Sequence, residues 1–265
     1  MDKRPIGIFD SGVGGLTVCK AIHDLLPSEN IIYFGDTRRF PFGTRSNETI
    51  IKYSREITDY LISRDVKLIV VACNTSSAVA LRDLQNEYTI PIIGVIEAGA
   101  RAACSRIKGD IIGVIGTRAT VKSMSYVEAI RDISPKIDTI QKDATLFVSL
   151  TEEGWIDDEI TRLVSRKYIQ DMYMKGVRTL ILGCTHFPML KKAINDVYPD
   201  LDLIDTGLEI SLEVKKILEE RQLINFNKEG KLSLYASDIT DTLQNLKKMF
   251  FGSNCADVLK LIIDG

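Results

Sequence analysis

Two cysteines stand where a chain can do chemistry. In VVACNTSSA (70–78) an apolar run ends at Cys73, followed by Asn74 and Thr75. In LILGCTHFP (180–188) the same layout ends at Cys184, followed by Thr185 and His186. Each layout reads as a buried strand that surfaces and then opens a helix. Free backbone N–H groups and the positive end of a helix dipole at such a junction lower a thiol's pKa and bring the sulfur to a ligand. Cys19, Cys104 and Cys255 lie inside helix or terminal-strand patterns and read as small buried apolar residues. Five cysteines, an odd number without a CxxC pair, point to free thiols rather than a disulfide framework.

If the two motifs face each other, one thiol approaches a cleft from each side. A nucleophile needs a single sulfur with a base beside it, and a redox pair is usually close in sequence. Two acid/base groups flanking one carbon fit racemisation: one thiolate removes an α-proton and the opposite thiol delivers another to the other face. A thiolate is a weak base toward a C–H bond, so neighbours must tune it and water must be excluded. Asp10 is the candidate helper beside Cys73, and His186 beside Cys184. The chain has only two histidines, His23 and His186, so a zinc site of ordinary spacing is hard to assemble and no metal is expected.

The elements that must position these groups alternate along the chain. Strand patterns cover 5–10, 31–36, 66–72, 90–96, 110–116, 136–141, 177–183, 201–205, 231–237 and 256–262, with helical spacing between them. Ile50, Ile51, Ile57, Leu61 and Ile62 fit a helix packed on a sheet, with Ser46 or Asn47 as its cap. Runs such as VKLIVVA are apolar on successive residues, as in parallel strands covered on both faces. The class is α/β, built of mainly parallel sheets flanked by helices. The cysteine motifs echo each other, as do IGIFDSGVGGLTV (6–18) and IIGVIGTRATVKS (111–123), which suggests a duplicated unit. We expect two pseudo-symmetric lobes: 1–97 with 208–265, carrying Asp10 and Cys73, and 98–207, carrying Glu152, Cys184 and His186. Ligands bind beyond the carboxyl ends of parallel strands, where Asp10, Ser11, Asp36, Cys73, Thr117 and Cys184 fall. The active site is expected in the cleft between the lobes.

Bulk composition excludes several classes. Basic and acidic residues number 34 and 36, a net charge of −2, with no basic stripe to neutralise a phosphate backbone. No nucleic acid partner is expected. No apolar run reaches the roughly 18 residues of a membrane span, and the N-terminus lacks a signal-peptide core. A cytoplasmic protein is expected. The glycine-rich turn after the first strand mimics a dinucleotide fingerprint, but Gly12-x-Gly14-x-x-Thr17 lacks the third glycine, which argues against a nicotinamide cofactor.

FDSGVGGLTV (9–18), FGDTRRFPFGTRS (34–46), ACNTSSAVAL (72–81), PIIGVIEAGARAA (91–103), TEEGW (151–155) and LGCTHFPML (182–190) together resemble the glutamate racemase family. The resemblance spans the chain to about Asp205. It implies a cofactor-independent isomerase that interconverts L- and D-glutamate and supplies D-glutamate for peptidoglycan, often as a homodimer. It further implies Cys73 as the acid/base for the D-enantiomer and Cys184 for the L-enantiomer. Asp10 would support Cys73, with Glu152 and His186 on the Cys184 side. Asp10, Ser11, Phe42, Gly43, Asn74, Thr75, Thr185 and His186 would bind the substrate. Phe42 stands where the family usually has Tyr, and Ser149 and Thr151 where it has Pro and Val. The alternatives are a racemase of another acidic amino acid such as aspartate, or a non-catalytic two-lobe amino-acid-binding protein.

Overall fold

The computed structural model describes residues 2–226, 229–253 and 255–263. Strand and helix alternate as the patterning implies. The first half runs β1 (Ile6–Asp10), α1 (Leu16–Leu25), β2 (Ile31–Gly35), α2 (Asn47–Ser63), β3 (Leu68–Val71), α3 (Asn74–Val79), α4 (Leu81–Glu87), β4 (Ile92–Gly94) and α5 (Val95–Ser105). The second runs β5 (Ile111–Gly116), α6 (Arg118–Lys122), α7 (Ser125–Ile133), β6 (Asp138–Asp143), α8 (Leu146–Glu152), α9 (Glu159–Met174), β7 (Thr179–Gly183), α10 (Lys191–Val197), β8 (Asp202–Asp205) and α11 (Thr206–Glu220). The tail adds β9 (Leu232–Ala236), α12 (Asp241–Phe251) and β10 (Val258–Lys260).

Two parallel sheets result. The first has the order β10-β9-β2-β1-β3-β4 and the second β6-β5-β7-β8. The strands β2-β1-β3-β4 and β6-β5-β7-β8 thus share one winding, and β9 and β10 extend the first sheet on one side only. The cysteine motifs follow the equivalent strands β3 and β7. The two-lobe α/β architecture read from the sequence is the one observed.

Strand periodicity sets the cores. Successive side chains point to opposite faces, so Ile6, Ile8, Leu68 and Val70 join Leu16, Ile22 and Val214 on one side of the first sheet. Phe9, Ile69 and Val71 join Ile50, Ile57 and Leu61 on the other. The second sheet is likewise covered on both faces. Helix α2 starts where Ser46 accepts from the Thr49 N–H at 3.3 Å, which settles its cap. Most strands are trimmed by one or two residues at an end, and two differ further. The backbone turn at Pro135–Lys136, closed by Ile137 N–H to the Ser134 carbonyl, moves β6 to Asp138–Asp143. Val95 and Ile96, expected in β4, form the first turn of α5. No helix among the described residues is long and apolar enough to cross a membrane.

Candidate active site

Strand register brings the chemical groups to common sheet ends. Phe9 pairs with Val71, so Asp10 and Ser11 leave the first sheet beside Ala72 and Cys73. Gly116 pairs with Gly183, so Thr117 and Cys184 leave the second sheet side by side. The two ends meet at a cavity of about 110 Å³. It is lined from the first lobe by Ser11, Phe42, Gly43, Cys73, Asn74 and Thr75, and from the second by Glu152, Cys184, Thr185 and His186. Both thiols therefore open on the same space, each supplied by a different sheet.

On the first side, Cys73 caps α3: its Sγ accepts from the Ser76 N–H at 3.5 Å and donates to Ser11 Oγ at 3.3 Å. Burial pushes the Cys73 thiol up to about 11, the Asp10 charge adds to this, and the bonds to Ser11 and Ser76 oppose it. At neutral pH this sulfur keeps its proton. Asn74 lines the cavity with a buried Nδ2 that has no partner among the described residues.

The second side is built differently. Cys184 Sγ lies 3.8 Å from His186 Nδ1, and His186 Nε2 lies 3.3 Å from Glu152 Oε1. Burial alone would push the imidazolium down. The bonds to Cys184 and Glu152 and the charges of Cys184 and Asp10 outweigh it and raise His186 to about 10. A proton-bearing imidazole thus stands against one thiol, and its second nitrogen is engaged by a carboxylate. Phe40 packs against the same ring in a tilted arrangement, 5.8 Å between centroids.

Asp10 departs from its expected place. It is fully buried and does not line the cavity. Its carboxylate accepts from the Gly12 N–H at 3.0 Å and from the Thr185 hydroxyl at 3.3 Å, so it braces the lobes rather than bonding Cys73. Burial raises its pKa, against the opposing pull of His186, Gly12, Gly15 and Thr185. Its effect on Cys73 is electrostatic. Asp36, also at a strand end, is held by Arg39 and Ser237 away from the cavity.

The glycines explain the dinucleotide-like turn. A Cβ on Gly14 would lie 2.5 Å from both Thr185 Oγ1 and His186 Nδ1. One on Gly43 would lie 2.8 Å from Thr117 Cβ. Both absences let first-lobe backbone press against second-lobe strand ends. Thr75 Oγ1 and Thr117 Oγ1, 2.9 Å apart, add a hydroxyl contact across the cleft.

Of the expected binding residues only Asp10 is off the cavity wall. Phe42 is fully buried and packs against Tyr53 at a tilt, 5.5 Å between centroids, occupying the site as packing rather than as a polar group. Thr151 bonds back to the Phe147 carbonyl at 2.8 Å within α8, so its hydroxyl turns away from Glu152. The cavity also recruits Phe40, Pro41, Thr44, Thr145 and Val148, which carry no recognisable chemical signature in the sequence. Ser149, noted only as a departure, lines the wall as well. No group of three or more His, Cys, Asp or Glu among the described residues is gathered to hold a metal.

Comparison with known proteins identifies the family. The family model described as Asp/Glu/Hydantoin racemase matches residues 6–209. A glutamate racemase of Geobacter metallireducens is 43% identical over 266 residues, covering 100% of this chain and 98% of that one. The crystal structure of glutamate racemase from Francisella tularensis in complex with D-glutamate superposes with a TM-score of 0.93 at 38% identity, covering 100% of this chain and 99% of that one. A glutamate racemase isoform from Bacillus anthracis superposes with a TM-score of 0.95 at 31% identity, covering 99% of each chain. The chain belongs to the Asp/Glu/Hydantoin racemase family and, within it, stands among the glutamate racemases.

Proposed function

We propose that this protein interconverts L- and D-glutamate by a two-base exchange between Cys73 and Cys184. The observation that carries the reading is the shared cavity, which holds a thiol from each lobe. With L-glutamate, Cys184 as thiolate removes the α-proton and Cys73 supplies one to the opposite face. The Cys73 thiol, raised to about 11, already carries the proton to be delivered. With D-glutamate the roles reverse: Cys73 acts as the thiolate in the minor enzyme form in which its proton has passed to Cys184, and Cys184 then supplies that proton to the opposite face. His186, fixed by Glu152, supplies positive charge near the developing α-carbanion and the Cys184 sulfur. Ser11, Asn74, Thr75, Thr185 and the backbone of Phe42 and Gly43 hold the substrate's carboxylates and ammonium. Buried walls exclude water, which strengthens each of these contacts.

A homodimer and a cytoplasmic location complete the proposal, with D-glutamate destined for peptidoglycan as the resemblance implies. The test is racemisation of L-glutamate and L-aspartate in parallel in D2O. Inversion of glutamate with deuterium entering at Cα is expected. A protein that binds glutamate without exchange would be a binding module, and faster inversion of aspartate would reassign the substrate.

A further inference from the structure

Among the polar groups around the cavity, Asn74 is anchored in a way the exchange itself does not require. Its Oδ1 accepts a hydrogen bond of 2.6 Å from the hydroxyl of Tyr126. Tyr126 is fully buried on α7 in the second lobe, whereas Asn74 opens α3 in the first. The bond therefore spans the two lobes behind the cavity wall.

A side-chain amide has two faces of opposite character, one accepting and one donating, and turning it over exchanges them. The protein fixes which face is used. Burial raises the Tyr126 pKa well above its ordinary value, so the phenol remains a donor. Its proton goes to Asn74 Oδ1. The remaining half of the amide is Nδ2, a buried donor with no acceptor among the described residues, on a residue that lines the cavity. An unpaired buried N–H costs stability unless a ligand satisfies it. A carboxylate is the acceptor that the acidic substrate provides.

We infer that Tyr126 is a positioning residue: by occupying Asn74 Oδ1 across the lobe boundary, it holds the amide with Nδ2 turned to the substrate carboxylate. The inference rests on the placement of Asn74 in the substrate site.

The test is steady-state kinetics of Tyr126→Phe, Asn74→Ala, the double variant and Asn74→Asp, with thermal unfolding to verify the fold. Tyr126→Phe should raise KM for glutamate about tenfold, with kcat within about twofold, the signature of lost uniform binding. In the Asn74→Ala background it should have no further effect, because the residue it acts through is gone. Additive losses, or an unchanged KM in folded Tyr126→Phe, would overturn the role of Tyr126 while leaving Asn74 in the site. An unaltered KM in Asn74→Ala would remove Asn74 from the site and the inference with it. Asn74→Asp keeps the oxygen that Tyr126 bonds and places an anion where Nδ2 stood. A steep KM rise is expected, and retained affinity would show the opposite orientation. That variant decides the matter if Tyr126→Phe fails to fold.

Discussion

The two halves of the site share a topology and differ in charge. Cys73 and Cys184 follow equivalent strands of two sheets wound alike. Yet Cys73 meets a hydroxyl, a backbone N–H and the nearby Asp10, whereas Cys184 meets a proton-bearing imidazole backed by Glu152. One side holds its proton tightly and the other is set beside a cation. A reaction that exchanges one proton for another on opposite faces needs this inequality, since two thiolates or two thiols could not begin it. Fold symmetry places the sulfurs; local chemistry gives them different neighbours.

The enantiomers have equal free energy in solution, so kcat/KM must be the same in both directions in every variant and at every pH. Asymmetry between the sides can appear only in kcat and KM separately. The largest effect is expected from Cys73→Ser and Cys184→Ser, each lowering kcat/KM about 10³-fold or more, since a hydroxyl is a far weaker acid than a thiol. Racemisation followed by circular dichroism checks this, with Cys104→Ser as a control that should keep full activity. If either active-site variant inverted glutamate at a near-normal rate, the two-base assignment would fail.

His186→Asn should cost about 10²-fold in kcat/KM, within the usual range for positioned acid/base groups. Because the imidazole faces Cys184, kcat should fall further with L-glutamate than with D-glutamate, with KM adjusting in step. Equal kcat losses would erase the functional difference between the halves.

The pH profile gives a smaller, shared effect. His186 is raised to about 10 and Cys73 to about 11, so both groups are protonated below these values and lose their protons above them. Activity should therefore hold through mildly alkaline pH and decline above about pH 10, identically for both enantiomers. A decline centred near pH 7, the ordinary range of histidine, would show that Cys184 and Glu152 do not hold the His186 proton. The mildest change in kcat is Ser11→Ala, which removes the acceptor of the Cys73 thiol and should lower kcat only about threefold, the order of one neutral hydrogen bond, while KM rises with the loss of its substrate contact.

Much of this was legible in the residues themselves. Apolar runs ending in Cys73 and Cys184 located both strand ends, because a buried parallel strand must be apolar on both faces and its ligand-facing end polar. Polar Lys142 and Asp143 carry no such signal, and the turn at Pro135 shifted β6 away from its expected span. The run PIIGVI read as one strand, but Val95 and Ile96 bury equally well from a helix. Periodicity over so few residues does not separate the two.

What the sequence determined by itself is the class of fold, the two strand-end thiols proposed to react and the histidine beside one of them, since type, spacing and strand-end position are local properties. Only the tertiary structure decided that Asp10 braces Thr185 rather than bonding Cys73, that Gly14 exists to admit the opposite lobe, and that Tyr126 grips Asn74. Each of those contacts joins residues far apart in the chain. Their partners are chosen by how two separately wound sheets meet, which no local pattern records.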